Sequence, residues 1–204
     1  TTLDTSNNLA LTELYITGNK LTSINISKNI NLTYLFCSSN QLTALNVSNN
    51  KKLSKLRCSS NQLTNLDLSQ NTGLHEINCG DNNLSTLNLK NGNNKIIINN
   101  YLTLDFTQNP LLMCIQVDDE NYSNTNWGDR KDVKASFNTD CSAYTLIPDS
   151  NFEDKLIALG IDKDGKNGKV ATASIVTIKS LNVSNSEIKN LKLKWKSISK
   201  AHTD

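Results

Sequence analysis

Apolar residues recur along this chain on a fixed step. Leu11, Leu32, Leu53 and Leu74 form one column at 21-residue intervals. Leu14, Leu35, Leu56 and Ile77 form a second, and Ile16, Cys37, Cys58 and Cys79 a third. Two asparagine series keep the same step: Asn19, Asn40, Asn61 and Asn82, and, half a repeat out of phase, Asn8, Asn29, Asn50 and Asn71. A fixed period in this range marks one small unit stacked on copies of itself, so the pattern predicts a solenoid. Each half of the unit is apolar at its positions 1, 4 and 6 and has asparagine at 9. Positions 4 and 6 with polar residues between them predict a strand with one buried face. Position 1 packs inward from the corner, and Ser, Asn, Gly and Gln then turn the chain.

The asparagines have a physical task at those corners. A side-chain amide can bond backbone groups of its own turn and of the next coil, which a bend leaves unpaired. Aspartate would instead stack like charges about 4.8 Å apart. The series Asn19, Asn40, Asn61 and Asn82 is therefore expected to form a structural ladder.

The pattern L-x-x-L-x-[L/C/I]-x-x-N-x-L stands at 11–21, 32–42, 53–63 and 74–84. It resembles the leucine-rich repeat family, and the short unit with Cys at position 6 is similar to bacterial secreted or cell-surface proteins of internalin-like plan. The resemblance implies a mainly β, right-handed solenoid of about five to six turns, with a parallel sheet lining a concave side. Because the second half of each unit mimics the first, strands are also expected on the convex side.

Beyond residue 90 the repeat degrades. Lys95 replaces a leucine, and the turn after Ile98 reads as about four residues short before Leu104-Asp105-Phe106. Asn109, Leu112, Ile115 and Val117 then fill the places of Asn71, Leu74, Ile77 and Cys79. The expected organisation is a solenoid over 1–117, a cap over 118–142 containing Trp127, Phe137 and Cys141, and a further unit over 143–204. In that last segment Ile147-Pro148-Asp149-Ser150-Asn151-Phe152-Glu153 starts a short amphipathic helix that Gly160 ends. The resemblance makes it the N-terminal cap of a new, incomplete array, and Leu181-Asn182-Val183-Ser184-Asn185 echoes Leu45-Asn46-Val47-Ser48-Asn49. Leu191, Leu193 and Trp195 alternate with lysines, as in a guarded edge strand. The first residues, Leu3 to Asn8, already sit mid-repeat, as expected of a chain with sequence upstream.

Five cysteines fall into two groups. Cys37, Cys58 and Cys79 belong to a core column and are expected to be buried thiols. Cys114, at an outward position, and Cys141 in the cap are read as a disulfide, which would need an oxidising compartment; two unpaired thiols are the alternative. Metal-ligand spacing is absent, and no metal or cofactor is expected.

A net charge of +2 is too small to argue for nucleic acid. No apolar run approaches the roughly 18 to 20 residues that span a bilayer. His75 and His202 are the only histidines, and no catalytic motif accompanies them, so no enzyme is expected. The run Asp118-Asp119-Glu120 reads as a solvated start of the cap. Residues 162–168 compare with a calcium loop, but Asn167 and Ala173 stand where glycine and glutamate are needed, which favours a plain turn.

Outward strand positions supply the candidate binding residues. Tyr15, Phe36, Arg57 and Asn78 stack in one column, Glu13, Tyr34, Lys55 and Glu76 in another, and Thr17, Ser38, Ser59 and Gly80 in a third. Aromatic and arginine residues dominate interface hot spots, which nominates Tyr15, Tyr34, Phe36, Lys55, Arg57 and Asn78; ordinary cross-strand packing is the competing reading. The leading function is a monomeric, extracellular or surface-displayed module that holds a protein partner, or a glycan, on its concave sheet. A structural spacer or adhesin stalk is the alternative. A polysaccharide-cleaving or polysaccharide-binding β-helix is remote, since it needs clustered carboxylates while Asp67 and Asp105 are expected alone on the opposite side.

Overall fold

A computed structural model describes residues 1–100, 102–147, 149–163, 165–175 and 178–189. The expected edge strand over Leu191, Leu193 and Trp195 lies outside the described residues. The chain divides into two compact units, Thr1–Thr139 and Asp140–Asp204.

In the first unit, short strands alternate between the two halves of the repeat. They are β1 (Thr2–Asp4), β2 (Glu13–Tyr15), β3 (Ser23–Asn25), β4 (Tyr34–Phe36), β5 (Lys55–Arg57) and β6 (Asn65–Asp67), then β7 (Glu76–Asn78), β8 (Thr86–Asn88), β9 (Leu104–Asp105) and β10 (Cys114–Gln116). Helix α1 (Glu120–Trp127) and strand β11 (Ser136–Asn138) follow. Strands β2, β4, β5, β7 and β9 pair side by side as a five-stranded parallel sheet, sheet I. Strands β6, β8, β10 and β11 form a four-stranded parallel sheet, sheet II, and β1 pairs with β3 from the same half of the repeat. Strands thus line both sides of the coil, as the doubled repeat predicts.

Register follows the repeat without slippage. Leu14 pairs with Leu35, Leu35 with Leu56, Leu56 with Ile77 and Ile77 with Leu104. Leu32, Leu53 and Leu74 are fully buried in one core with these residues. Backbone bonds from Thr33 N to Thr12 O, Ser54 N to Thr33 O and His75 N to Ser54 O hold the adjoining corners one rung apart. Each buried leucine contributes about 1.5–3 kcal/mol, so a thin core suffices where every rung seals its neighbours.

A left-handed corner recurs at Gly18, Ser39, Ser60, Asp81 and Gln108, with φ of 74°, 54°, 53°, 54° and 58°. This identifies Gln108 as the counterpart of Asp81, and therefore Asn109 as the counterpart of Asn82. Asn109 accordingly belongs to the ladder headed by Asn19, not to the series of Asn71. The bond from Leu63 N to Asn82 Oδ1 spans 19 residues, and its counterpart from Leu84 N to Asn109 Oδ1 spans 25. The turn expected to be short is in fact an insertion, which includes a 3-10 turn at Asn94–Ile96. Leu104-Asp105-Phe106 continues sheet I, and Ile115 pairs with Leu87 in sheet II, so the expected phase was half a repeat out.

The end of the first unit is closed in part by a side chain that imitates a missing rung. In earlier rungs Asp81 N and Asn82 N donate to the carbonyls of Thr107 and Gln108. At the last one, Gln108 N and Asn109 N donate to the two carboxylate oxygens of Asp132, at 2.9 and 2.7 Å. Asp118, on the coil that follows, ties down the insertion by accepting from Gly92 N and Asn94 N, at 2.9 and 3.0 Å, and Asp119 caps α1 by accepting from Tyr122 N. The run 118–120 is therefore structural and not merely solvated. Trp127 on α1 is fully buried and makes edge contacts with Phe106, Tyr122 and Phe137. Past Val117, β11 adds one more parallel strand to sheet II.

The second unit contains β12 (Tyr144–Leu146) antiparallel to β13 (Lys169–Ala171), with α2 (Ser150–Ala158) between them and α3 (Thr172–Ile175) after. Asp149 caps α2 by accepting from Asn151 N and Phe152 N, and Gly160 takes the left-handed φ of 70° that follows a helix end. Ile147, Phe152, Leu156, Val170, Ile175 and Val183 form its core.

Candidate binding face

Sheet I places the nominated side chains in adjacent rows. Register puts Glu13 beside Tyr34 and Tyr15 beside Phe36, then Tyr34 beside Lys55 and Phe36 beside Arg57, and finally Lys55 beside Glu76 and Arg57 beside Asn78. Alternation along each three-residue strand sends its middle residue inward and leaves these outward. All six nominated residues therefore share one face.

The rings and cations touch. Tyr15 meets Phe36 edge-on with centroids 5.1 Å apart, and Tyr34 lies parallel to Phe36 at 6.5 Å. Arg57 Cζ sits 4.8 Å over the Phe36 ring and Lys55 Nζ 4.9 Å over that of Tyr34, as cation–π pairs do. The centre of the group is Glu76, whose side chain is 5% exposed. It accepts from Arg57 through both Nε and Nη2, and Lys55 Nζ approaches its Oε2 at 3.8 Å. Tyr15 is 58% exposed, and its hydroxyl donates to Glu13 Oε2 at 2.9 Å, a bond that raises the phenol's pKa.

Sequence reasoning missed one member of this face. Asp105 lies on sheet I beside Asn78, not on the opposite side with Asp67. It also leans over Gly80, where a Cβ would meet Asp105 Oδ2 at 2.6 Å. The single glycine in the column Thr17, Ser38, Ser59 and Gly80 was the available signal that the next rung carries something bulky. Glu76 was visible as a neighbour of Lys55, but its diagonal reach to Arg57 was not.

The asparagine ladder has repeating geometry. Asn61 Nδ2 donates to the carbonyls of Cys37, Cys58 and Ser59, and its Oδ1 accepts from Leu42 N. Asn40 and Asn82 repeat the set on their own rungs, while Asn19 bonds only within its own turn. In the second series Asn50 and Asn71 each donate to two carbonyls of the preceding coil.

Cys37, Cys58 and Cys79 are free and buried. Burial pushes the Cys37 thiol up to about 12 and raises those of Cys58 and Cys79 well above the ordinary thiol value. Cys114 occupies the expected outward position on β10, yet it is only 7% exposed. His75 is half-buried, with Nδ1 3.3 Å from Gly73 O. Buried Glu153 accepts from Asn167 N and Gly168 N and so holds the 162–168 turn to α2; Asp164 lies outside the described residues. Among the described residues, no cluster of three His, Cys, Asp or Glu could hold a metal ion, and no helix is long and apolar enough to cross a membrane.

Stacked parallel strands, an asparagine ladder and a leucine column on one period define a leucine-rich repeat solenoid. Among solved structures the chain is similar to one described as the functional domain of InlJ from Listeria monocytogenes, which includes a cysteine ladder. Sequence identity is 39%, the match covers 58% of this chain and 27% of that one, and the TM-score is 0.40. The chain thus matches about a quarter of that protein's length. No family model and no curated protein matches the chain.

Proposed function

We propose that the protein is a non-enzymatic interaction module, secreted or displayed at a cell surface, that holds a protein partner on the outer face of sheet I. The observation that carries this reading is a group of rings and cations at strand positions the core does not use, centred on Tyr34, Phe36 and Arg57. Aromatic and arginine side chains provide large, rigid contact area and dominate interface energetics. The test is alanine substitution at Tyr34, Phe36 and Arg57, with binding read against a panel of purified cell-surface ectodomains. Loss of binding is the expected result, at unchanged melting temperature for Tyr34→Ala and Phe36→Ala alone, whereas the triple variant also melts lower because Arg57→Ala leaves the buried Glu76 carboxylate without its main partner. Unchanged binding to every partner would remove this face from consideration.

The spacer reading draws on a specific observation too. Lys55 and Arg57 are already tied to Glu76, and the rings cover one another. It expects the triple variant to lose stability and no binding. Enzymatic action on polysaccharide is tested by product analysis on a glycan array, where any cleavage would contradict the proposal.

Two structural readings accompany it. The Cys114–Cys141 bridge is supported by both residues being disulfide-bonded while the other three cysteines are free. The segment 143–204 is read as the helical cap and first half-rung of a further array. In support, Asn182 Oδ1 accepts from Ser184 N at 3.0 Å, as Asn25 Oδ1 accepts from Ser27 N at 3.2 Å.

A further inference from the structure

The centre of sheet I carries a local excess of one positive charge. Lys55 and Arg57 share one carboxylate, that of Glu76. The other carboxylates of the face stand a strand further off: the Tyr34 row separates Glu13, which takes the Tyr15 hydroxyl, from Lys55, and the Asn78 row separates Asp105, which accepts from Thr107 N and Oγ1, from Arg57. Arg57 spends Nε and Nη2 on Glu76, and its side chain is 39% exposed, so its remaining donors face solvent. Phe36 lies under the guanidinium, with Tyr15 and Tyr34 packed against Phe36 in turn.

Resting on the interaction reading above, we propose that this face selects a partner segment in which a carboxylate side chain is flanked by aromatic ones. The carboxylate supplies the second anion that two cations call for, in a charge-assisted bond to the open edge of the guanidinium. Its aromatic neighbours lie against the ring edges that Tyr15 and Tyr34 present. A sugar acid fits the face less well, because Lys55 and Arg57 already occupy faces of the Tyr34 and Phe36 rings on which a pyranose would lie.

The test uses the full chain, nitrogen-15 labelled, titrated with acetyl-Phe-Glu-Phe-amide, acetyl-Phe-Gln-Phe-amide and methyl glucuronide. The readout is the Arg57 Nε–Hε resonance. We expect saturable shifts with the Glu peptide at about tenfold lower Kd than with the Gln peptide, a difference that shrinks as salt is raised. Lys55→Gln should abolish that preference, and since Lys55 sits 3.8 Å from Glu76 it is a milder change than Arg57→Gln, which strands a buried carboxylate. Arg57→Lys keeps the charge and loses the fork; followed through the backbone amide resonances of residues 55 and 57, it should weaken the Glu peptide alone. Equal binding of the two peptides overturns carboxylate selection while leaving the interaction reading intact. No peptide shift at Arg57 also overturns it, and if Tyr34→Ala and Phe36→Ala then leave ectodomain binding unchanged, the interaction reading fails as well. Tighter binding of the glucuronide overturns the peptide in favour of a glycan.

Discussion

Asn29 and Asn71 sit at the same corner two coils apart, yet only one has its carbonyl oxygen matched. Asn29 Oδ1 accepts from Thr5 Oγ1 at 2.6 Å, whereas Asn50 Oδ1 and Asn71 Oδ1 are buried without a partner. The residues at the Thr5 position of those coils are Ile26 and Val47, which have no hydroxyl to donate. Val47→Thr keeps the shape and adds the missing donor. Burying a hydroxyl in place of a methyl ordinarily costs about 1–3 kcal/mol. Here the change should fall within about 0.5 kcal/mol of neutral or better, because an unmatched acceptor is satisfied at the same time. Urea denaturation midpoints at unchanged m-value check this, and a loss of the ordinary size would mean the hydroxyl does not reach Asn71. The buried thiols give a second expectation at this scale. A thiol raised in the folded state contributes stability that is present below its ordinary value of 9.0 and is lost as pH rises through the folded value, about 12 for Cys37. Stability should therefore decline between those limits, and Cys37→Val should flatten the decline. Below pH 9, Ellman's reagent should leave the three core thiols unreacted until denaturant is added.

At the scale of the element, Asp132 stands in for a pair of backbone carbonyls that the next rung would supply. Asp132→Ala leaves Gln108 N and Asn109 N without acceptors, and hydrogen bonds to charged groups are worth about 1.5–3 kcal/mol each. A loss of about 3 kcal/mol is expected, with Asp132→Asn intermediate because its amide offers one oxygen. Faster hydrogen exchange confined to the last rungs of sheet I would locate the effect; uniform acceleration would speak against a capping role. This is also where legibility from the sequence broke down. The columns through Leu14, Leu35, Leu56 and Ile77 are read directly, because identical coils impose an identical spacing. After Leu89 the insertion changes the spacing, and apolar residues on both halves look alike, so Ile115 fits either sheet on pattern alone. The corner conformation at Gln108 decides the matter, and a glutamine there carries no sequence signal for a positive φ. The candidate face was legible in its columns but not in its diagonals, since Arg57 reaches Glu76 across both a row and a column.

For the first unit as a whole, stability is a sum of rungs, each contacting only its neighbours. Deleting residues 43–63 joins Leu42 to Thr64 and removes one 21-residue coil, so every remaining column stays in register. That variant should fold cooperatively with the parental circular dichroism shape and a smaller urea m-value, because less surface is exposed on unfolding. Deleting residues 43–62 differs by a single residue and should fail. The retained Leu63 would displace the following strand by one position, turning Leu66 outward and Asn65 and Asp67 into the core, where an unpaired charge is costly. Near-equal stability of the two deletions would show that the loops absorb the slip and that the fixed repeat length is not what orders the solenoid. A large gap between them would tie the fold to the 21-residue step that the leucines and asparagines share.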